Sequence, residues 1–232
     1  TGAMTAAPGG KGKMYKTVLF DLDGTLLNTI DDLADAGNRM CAARGWPTHT
    51  ADRYRYFVGN GIPKLIERLT PEACRTPETL ADAYRAFDAD YDAHMFDKTR
   101  PYPGVPELLA RLAAAGVQMA VFSNKDDALA RRVVAHYFDA GLFAVVRGAL
   151  PGVPKKPAPQ GTLALMEAIG AQAASTLYVG DSNVDVCTGK NAGLRCCGVL
   201  WGFRTEAELR EAGADYLAAD AAALEQVILA GG

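Results

Sequence analysis

Two aspartates, Asp21 and Asp23, flank a single leucine in the stretch DLDGTLLNT, directly after the apolar run TVLF. Carboxylates at the end of an apolar run are costly to bury unless a cation meets them there. Further along, FSNK carries Ser123, Asn124 and Lys125, KKPAP carries Lys155 and Lys156, and GDSNVD carries Asp181 and Asp185. Several carboxylates, a hydroxyl, an amide and a lysine are the groups that hold a phosphate beside a metal. Oxygen-only ligands select Mg2+ or a similar hard ion.

Those residues need elements that bring them together. Apolar runs rich in Val, Leu and Tyr recur at 17–21, 117–123, 143–148, 176–181 and 195–201, with a last candidate at 215–219. Helical patterns fill 105–116, 127–138 and 160–171. Strand and helix in alternation predict a parallel sheet covered on both faces. In such a sheet the loops at the carboxyl ends of the strands converge on one crevice. Asp21 and Asp23 leave the first strand, Ser123, Asn124 and Lys125 the second, and Asp181 to Asp185 the fourth, with Lys155 and Lys156 in the loop after the third. All of them are expected on one rim.

One interval breaks the alternation. Residues 29–98 show no convincing strand, and Ile30, Leu33, Ala34, Gly37, Met40 and Cys41 fall on one helical stripe. Thr29 with Asp32 three residues on reads as a capping box. A later helix opens at TPET, with Thr76 as cap, Pro77 at its first position and a stripe of Leu80, Tyr84, Phe87, Tyr91 and Met95. The sheet resumes past the proline-rich PYPGVP at 101–106. The expected division is an α/β core over 14–28 and 99–232, a helical cap over 29–98, and a tag or disordered tail over 1–13. Within the cap, the GNG turn at 59–61 makes Asn60, Gly61 and Lys64 the candidate contacts to the far end of a substrate, while Tyr54, Tyr56 and Phe87 read as cap core.

Composition narrows the function. The 232 residues are 49% apolar and 22% charged with a formal net charge of −3, enough apolar content for a real core. This mildly acidic balance argues against a nucleic-acid or anionic-membrane surface. No window approaches the roughly 18 continuous apolar residues of a membrane span. Five cysteines, odd in number and without CxxC spacing, fit a reduced, cytoplasmic compartment better than a disulfide framework. His49, His94 and His136 are scattered singly and form no metal cluster in the sequence.

DLDGTLLNT, FSNK, KKPAP and GDSNVD, in that order, resemble the four motifs of the haloacid dehalogenase superfamily, over the chain from Tyr15 onward. FVGNGIPKLIERL and LWGFRTEAELREAGADYL are similar to its phosphoglycolate phosphatases. The resemblance implies a doubly wound, Rossmann-like core with an inserted helical cap. It also implies Mg2+-dependent hydrolysis of a small phosphorylated metabolite, with 2-phosphoglycolate favoured. Asp21 is then the nucleophile, forming an aspartyl-phosphate that splits one hard step into two. Asp23 takes the acid–base role and offers its backbone carbonyl to the metal. Asp181 is the second carboxylate on the metal, and Asp185 orients the metal's waters or ligates directly. Ser123 and Asn124 hold phosphate oxygens, and Lys156 neutralises charge on the nucleophile and phosphoryl group.

Each motif alone has an ordinary explanation. Asp-Gly is a common turn, Asp185 could be a helix cap, and a lysine before proline could sit in a solvated loop. Four at successive strand ends make coincidence a poor account. A phosphomutase of the same superfamily, acting on a sugar phosphate, is the nearest rival, and a catalytically silent metabolite-binding protein is the rival from another class. True dehalogenases lack the second aspartate. Gly189 falls where a helix should run, at a cost of about 1 kcal/mol against alanine.

Overall fold

The computed structural model describes residues 14–231. The expected tag or tail over 1–13 lies outside the described residues. Strand β1 (Thr17–Phe20) is buried at every position. It is flanked by β4 (Gln118–Asp126) and β6 (Thr176–Gly180), both parallel to it. Continuous apolar runs are what a strand covered on two faces requires. With β5 (Val145–Ala149), β7 (Arg195–Val199) and β8 (Tyr216–Ala218), the sheet runs β5-β4-β1-β6-β7-β8 and is parallel throughout. The order reverses direction beside β1, so the crevice opens at the carboxyl end of that strand. This is the expected α/β, doubly wound architecture.

Helices α1 (Ile30–Ala42), α2 (Ala51–Phe57), α3 (Ile62–Leu69) and α4 (Pro77–His94) form the insertion. A two-stranded antiparallel ribbon flanks it, β2 (Leu27–Asn28) against β3 (Arg100–Pro101). The stripe of α1 is buried as its spacing predicts, from Ile30 to Cys41. Thr76 caps α4, its side chain accepting from the Thr79 N–H. Phe87 and Tyr91 of α4 are buried and stacked, with ring centroids 5.6 Å apart. Each such buried side chain removes enough apolar surface to contribute about 1.5–3 kcal/mol.

The capping box at Thr29 is a correction. Thr29 stands just before α1, yet its side chain caps nothing there and donates instead to Asp23 Oδ1 at 2.8 Å. Asp32 does not turn back to Thr29. Its buried carboxylate accepts from the Lys98 N–H, and from the Thr99 N–H and hydroxyl at 2.8 Å each, which ties the start of the insertion to its end.

The core helices α5 (Val105–Ala114), α6 (Asp127–Tyr137), α7 (Gln160–Ile169), α8 (Asn183–Asn191), α9 (Glu206–Glu211) and α10 (Ala221–Ala230) complete the layers. Gly189 lies inside α8, and there is a packing reason for it. A Cβ at that position would stand 2.9 Å from Tyr178 Cβ and well inside contact distance of Cys196 Sγ. The helix sits that close to β6 and β7. No helix among the described residues is long and apolar enough to cross a membrane.

Candidate active site

The strand ends carry the site. Asp21 follows β1, Asp181 follows β6, and Asp185 sits in the first turn of α8. One carboxylate oxygen from each lies within 4.8 Å of the others, and all three residues are buried. Among the described residues they are the only such group. Gly24 lets the chain turn there with φ +87°, a conformation that costs glycine little. A Cβ on Gly24 would stand 2.7 Å from the Asp181 carboxyl carbon, so the turn and the carboxylate need the same space.

Lys156 closes this cluster. Its Nζ, buried, lies 2.8 Å from Asp21 Oδ1 and 2.7 Å from Asp185 Oδ1. The neighbouring Lys155 is exposed, so the structure separates two lysines that the sequence leaves equivalent. Burial alone would lower the Lys156 ammonium, but Asp185 and Asp21 overcome this and hold it well above its usual range. Burial raises the Asp21 carboxyl, and repulsion from Asp185 and Asp181 outweighs the pull of Lys156. Asp181 is pushed up to about 7, by burial first and by Asp185 second.

When all three are ionised, three carboxylates against one ammonium leave an excess of two negative charges. A divalent cation would balance it. The donor set is oxygen only and buried, and oxygen ligands fit Mg2+ or a similar hard ion. Not every oxygen is equally free. Asp185 Oδ2 accepts from the Ser182 N–H and hydroxyl, and Asp181 Oδ1 and Oδ2 accept from Thr25 Oγ1 and the Phe203 N–H. Asp21 Oδ1 accepts from the Leu22 N–H as well as from Lys156. Asp21 Oδ2 receives no donor among the described residues, and Asp21 lines the cavity.

Asp23 stands apart from the three. It lines the same cavity as Asp21, Ser123, Asn124, Lys125 and Lys156, with Val58, Gly59, Gly61 and Ile62 of the insertion opposite. Ser123, Asn124 and Lys125 lie in the last residues of β4 rather than beyond it, where the register with β5 shifts between Phe122 and Asp126. The Ser123 oxygen accepts from the Lys125 N–H at 3.1 Å, leaving its own O–H to donate. The Asn124 carboxamide is wholly committed to backbone. It donates to the carbonyls of Gly59 and Lys156 and accepts from the Lys156 N–H. It therefore holds the insertion's loop and the lysine loop together, and only its main chain remains for an anion.

The candidate residues of the insertion divide. Gly61, with φ +85°, lines the cavity, and a Cβ there would meet Lys155 Nζ at 2.6 Å. Asn60 and Lys64 do not line it. Asn60 Oδ1 accepts from Arg68, Lys64 pairs with Glu67 at 2.7 Å on the surface, and both border a separate groove between α3 and α4. Gly61 is the N-cap of α3 and, with φ +85°, lies outside the helical geometry, so the three-residue spacing to Lys64 does not put the two on one face.

Lys125 stands in the FSNK motif without an assigned role, and other neighbours of the site lie outside the motifs. Lys125 Nζ, buried, lies 3.2 Å from Asp23 Oδ1 and donates to the Tyr91 hydroxyl at 3.2 Å. The available signal is a lysine closing an otherwise apolar, doubly covered strand. Trp201 Nε1 donates to the Thr25 carbonyl, so this aromatic supports the loop after β1. Nothing in its sequence context marks the Phe203 N–H as a partner of Asp181.

The sequence profile of haloacid dehalogenase-like hydrolases matches residues 18–199. A phosphoglycolate phosphatase of Vibrio cholerae is 33% identical over 222 residues, 94% of this chain and 98% of that protein. Another, from Pseudomonas syringae pv. tomato, is 35% identical over 199 residues, 83% of this chain and 72% of that protein. A crystal structure from Lactobacillus delbrueckii subsp. bulgaricus, of a provisionally assigned phosphoglycolate phosphatase, superposes with a TM-score of 0.86 at 31% identity. The match covers 93% of this chain and 99% of that one.

Proposed function

The chain belongs to the haloacid dehalogenase-like hydrolases and is a phosphatase, and from this we propose that it hydrolyses a small phosphorylated metabolite, 2-phosphoglycolate foremost, through an aspartyl-phosphate on Asp21. The observation that carries the reading is the asymmetry of Asp21. One oxygen is pinned by Lys156 and the Leu22 N–H, while the other receives no donor and belongs to a residue lining the cavity. A nucleophile needs one oxygen held and one free. The names of the relatives support the choice of substrate.

In the first step Asp21 Oδ2 attacks phosphorus and the bond to the ester oxygen breaks. Asp23 gives its proton to the departing alkoxide. In the second step water attacks the phosphoryl group on Asp21 while Asp23 takes its proton, releasing inorganic phosphate and restoring both carboxyls. Lys156 and the Ser123 hydroxyl are placed to hold charge on the phosphoryl oxygens, where fixed donors in a dry site act most strongly. Asp21, Asp181 and the Asp23 carbonyl would hold Mg2+, with Asp185, tied to Lys156 and Ser182, orienting the group. When bound, the ion supplies the positive charge that lets an anionic carboxylate approach an anionic ester. Helices within 29–98 act as a cap, with the loop at Gly61 as its substrate-facing element. We place the protein in a reducing cytoplasm, in keeping with five unpaired cysteines, three of them buried.

The test is phosphate release from 2-phosphoglycolate, sugar phosphates and an aryl phosphate, with and without Mg2+. The wild type should act on 2-phosphoglycolate with the highest kcat/KM, depend on Mg2+, and lose its activity in Asp21→Asn. An Asp21→Asn variant that keeps its rate refutes the nucleophile, and a sugar phosphate turned over better than 2-phosphoglycolate refutes the substrate.

A further inference from the structure

Lys125 is a second fully buried lysine on the rim, and the steps above give it no task. A buried ammonium costs several kcal/mol unless it is paired and hydrogen-bonded. Lys125 is 4% exposed, and its Nζ is shared between Asp23 Oδ1 and the Tyr91 hydroxyl, each at 3.2 Å. The ammonium also stands 5.1 Å from the centre of the Tyr91 ring. Tyr91 is itself 1% exposed and stacked on Phe87, so its hydroxyl is held in place by the packing of α4.

The two pairs divide the work. Lys156 serves Asp21 and Asp185, and Lys125 serves Asp23. Thr29 donates to the same Asp23 oxygen, at 2.8 Å, so two donors converge on Oδ1. Oδ2 receives no donor among the described residues, and Asp23 lines the cavity. A lysine side chain has four rotatable bonds and does not hold a carboxylate in one orientation unless its own head group is fixed. The Tyr91 hydroxyl fixes it.

We infer that Lys125, held by Tyr91 of helix α4, is the positioning residue that orients the Asp23 carboxyl with Oδ2 toward the substrate. The proton-donor geometry in the core is thereby set by a helix of the insertion. This rests on the reading of Asp23 as proton donor. A carboxylate pinned at one oxygen cannot rotate that oxygen into the cavity without breaking both bonds, so the free oxygen stays aimed at the ester.

The experiment compares kcat/KM for an alkyl phosphate with kcat/KM for p-nitrophenyl phosphate, using the alkyl ester the wild type turns over best. This quantity reports steps up to departure of the leaving group. An alkoxide needs a proton to leave and p-nitrophenolate scarcely does, so loss of a well-aimed proton donor falls mainly on the alkyl ester. General acid catalysis contributes about 10²–10⁴-fold. Tyr91→Phe, which keeps the stacked ring, should lower kcat/KM about tenfold on the alkyl ester and several times less on the aryl ester. Lys125→Met should show the same imbalance with a larger loss, about a hundredfold on the alkyl ester. Equal losses on both substrates, or no loss in Tyr91→Phe, overturn the inference. Asp23→Asn is the reference. If it slows both substrates equally, the reading of Asp23 as proton donor fails, whatever the other variants do.

Discussion

Replacing Lys156 by methionine removes the one cation from the buried carboxylate cluster while keeping most of its volume. The Lys156 side chain is 2% exposed, and its Nζ bonds Asp21 at 2.8 Å and Asp185 at 2.7 Å. Breaking a buried pair by deleting one partner costs about 3–5 kcal/mol, because the remaining charge is left in a dry site. In a chain of 232 residues, each kcal/mol shifts the melting temperature by about 2–4 °C. The expected loss at pH 8 without Mg2+ is therefore about 6–20 °C. Its pH dependence has a definite sign. Asp181 titrates from an ordinary 3.8 in the unfolded chain up to about 7 in the fold, and Asp21 is raised in the same direction. The folded state then binds protons that the unfolded chain has released, so stability falls as pH rises through that window. Without Lys156 the repulsion is stronger and the fall steeper. At pH 5.5 protonated carboxyls offset much of the loss, and at pH 8 Mg2+ restores part of it. Thermal or urea unfolding of wild type and Lys156→Met at both pH values, with and without Mg2+, reads all of this. Lys64→Met, on an exposed pair, is the control and should change nothing measurable. A Lys156→Met protein within about 1 kcal/mol of wild type at pH 8 would refute the charge balance argued here, since that is the range of an exposed pair.

The same charge balance predicts that apparent Mg2+ affinity weakens about tenfold per unit as pH drops below 7, since the metal must displace a proton from Asp181. Calorimetric titration at pH 6 and 8 checks this, and a pH-independent affinity contradicts it. Gly189→Ala should destabilise the protein by about 1–2 kcal/mol. The gain of about 1 kcal/mol in helix propensity is outweighed by overpacking against Tyr178 and Cys196. A rise in melting temperature would show that α8 is not held that close to the sheet.

The sequence by itself determined the sheet and the rim. Short continuous apolar runs such as TVLF and TLYVG in alternation with helical patterns suit strands covered on both faces, and a parallel sheet places its strand ends together. That Asp21, Asp181 and Asp185 share one rim was legible for that reason, and their roles from the resemblance of DLDGTLLNT and GDSNVD to the motifs of the family. The stripes of α1 and α4 were legible because helical period is a local property.

Direction and partnership were decided only by the tertiary structure. Adjacent lysines at 155 and 156 look alike in sequence, but the fold turns one into the cluster and the other to solvent. Thr29 and Asp32 carry a valid capping pattern, yet other partners, Asp23 six residues back for one and Thr99 across the chain for the other, claim both side chains. Asn60 and Lys64 lie beside Gly61 in sequence and border another groove in space. Lys125 and Tyr91, separated by 34 residues, meet because α4 packs over the end of β4. The physical reason is common to all four. Local patterns fix what an element is, but a buried charge or donor goes to whichever partner the packed elements bring within about 3 Å, and that distance exists only in the folded chain.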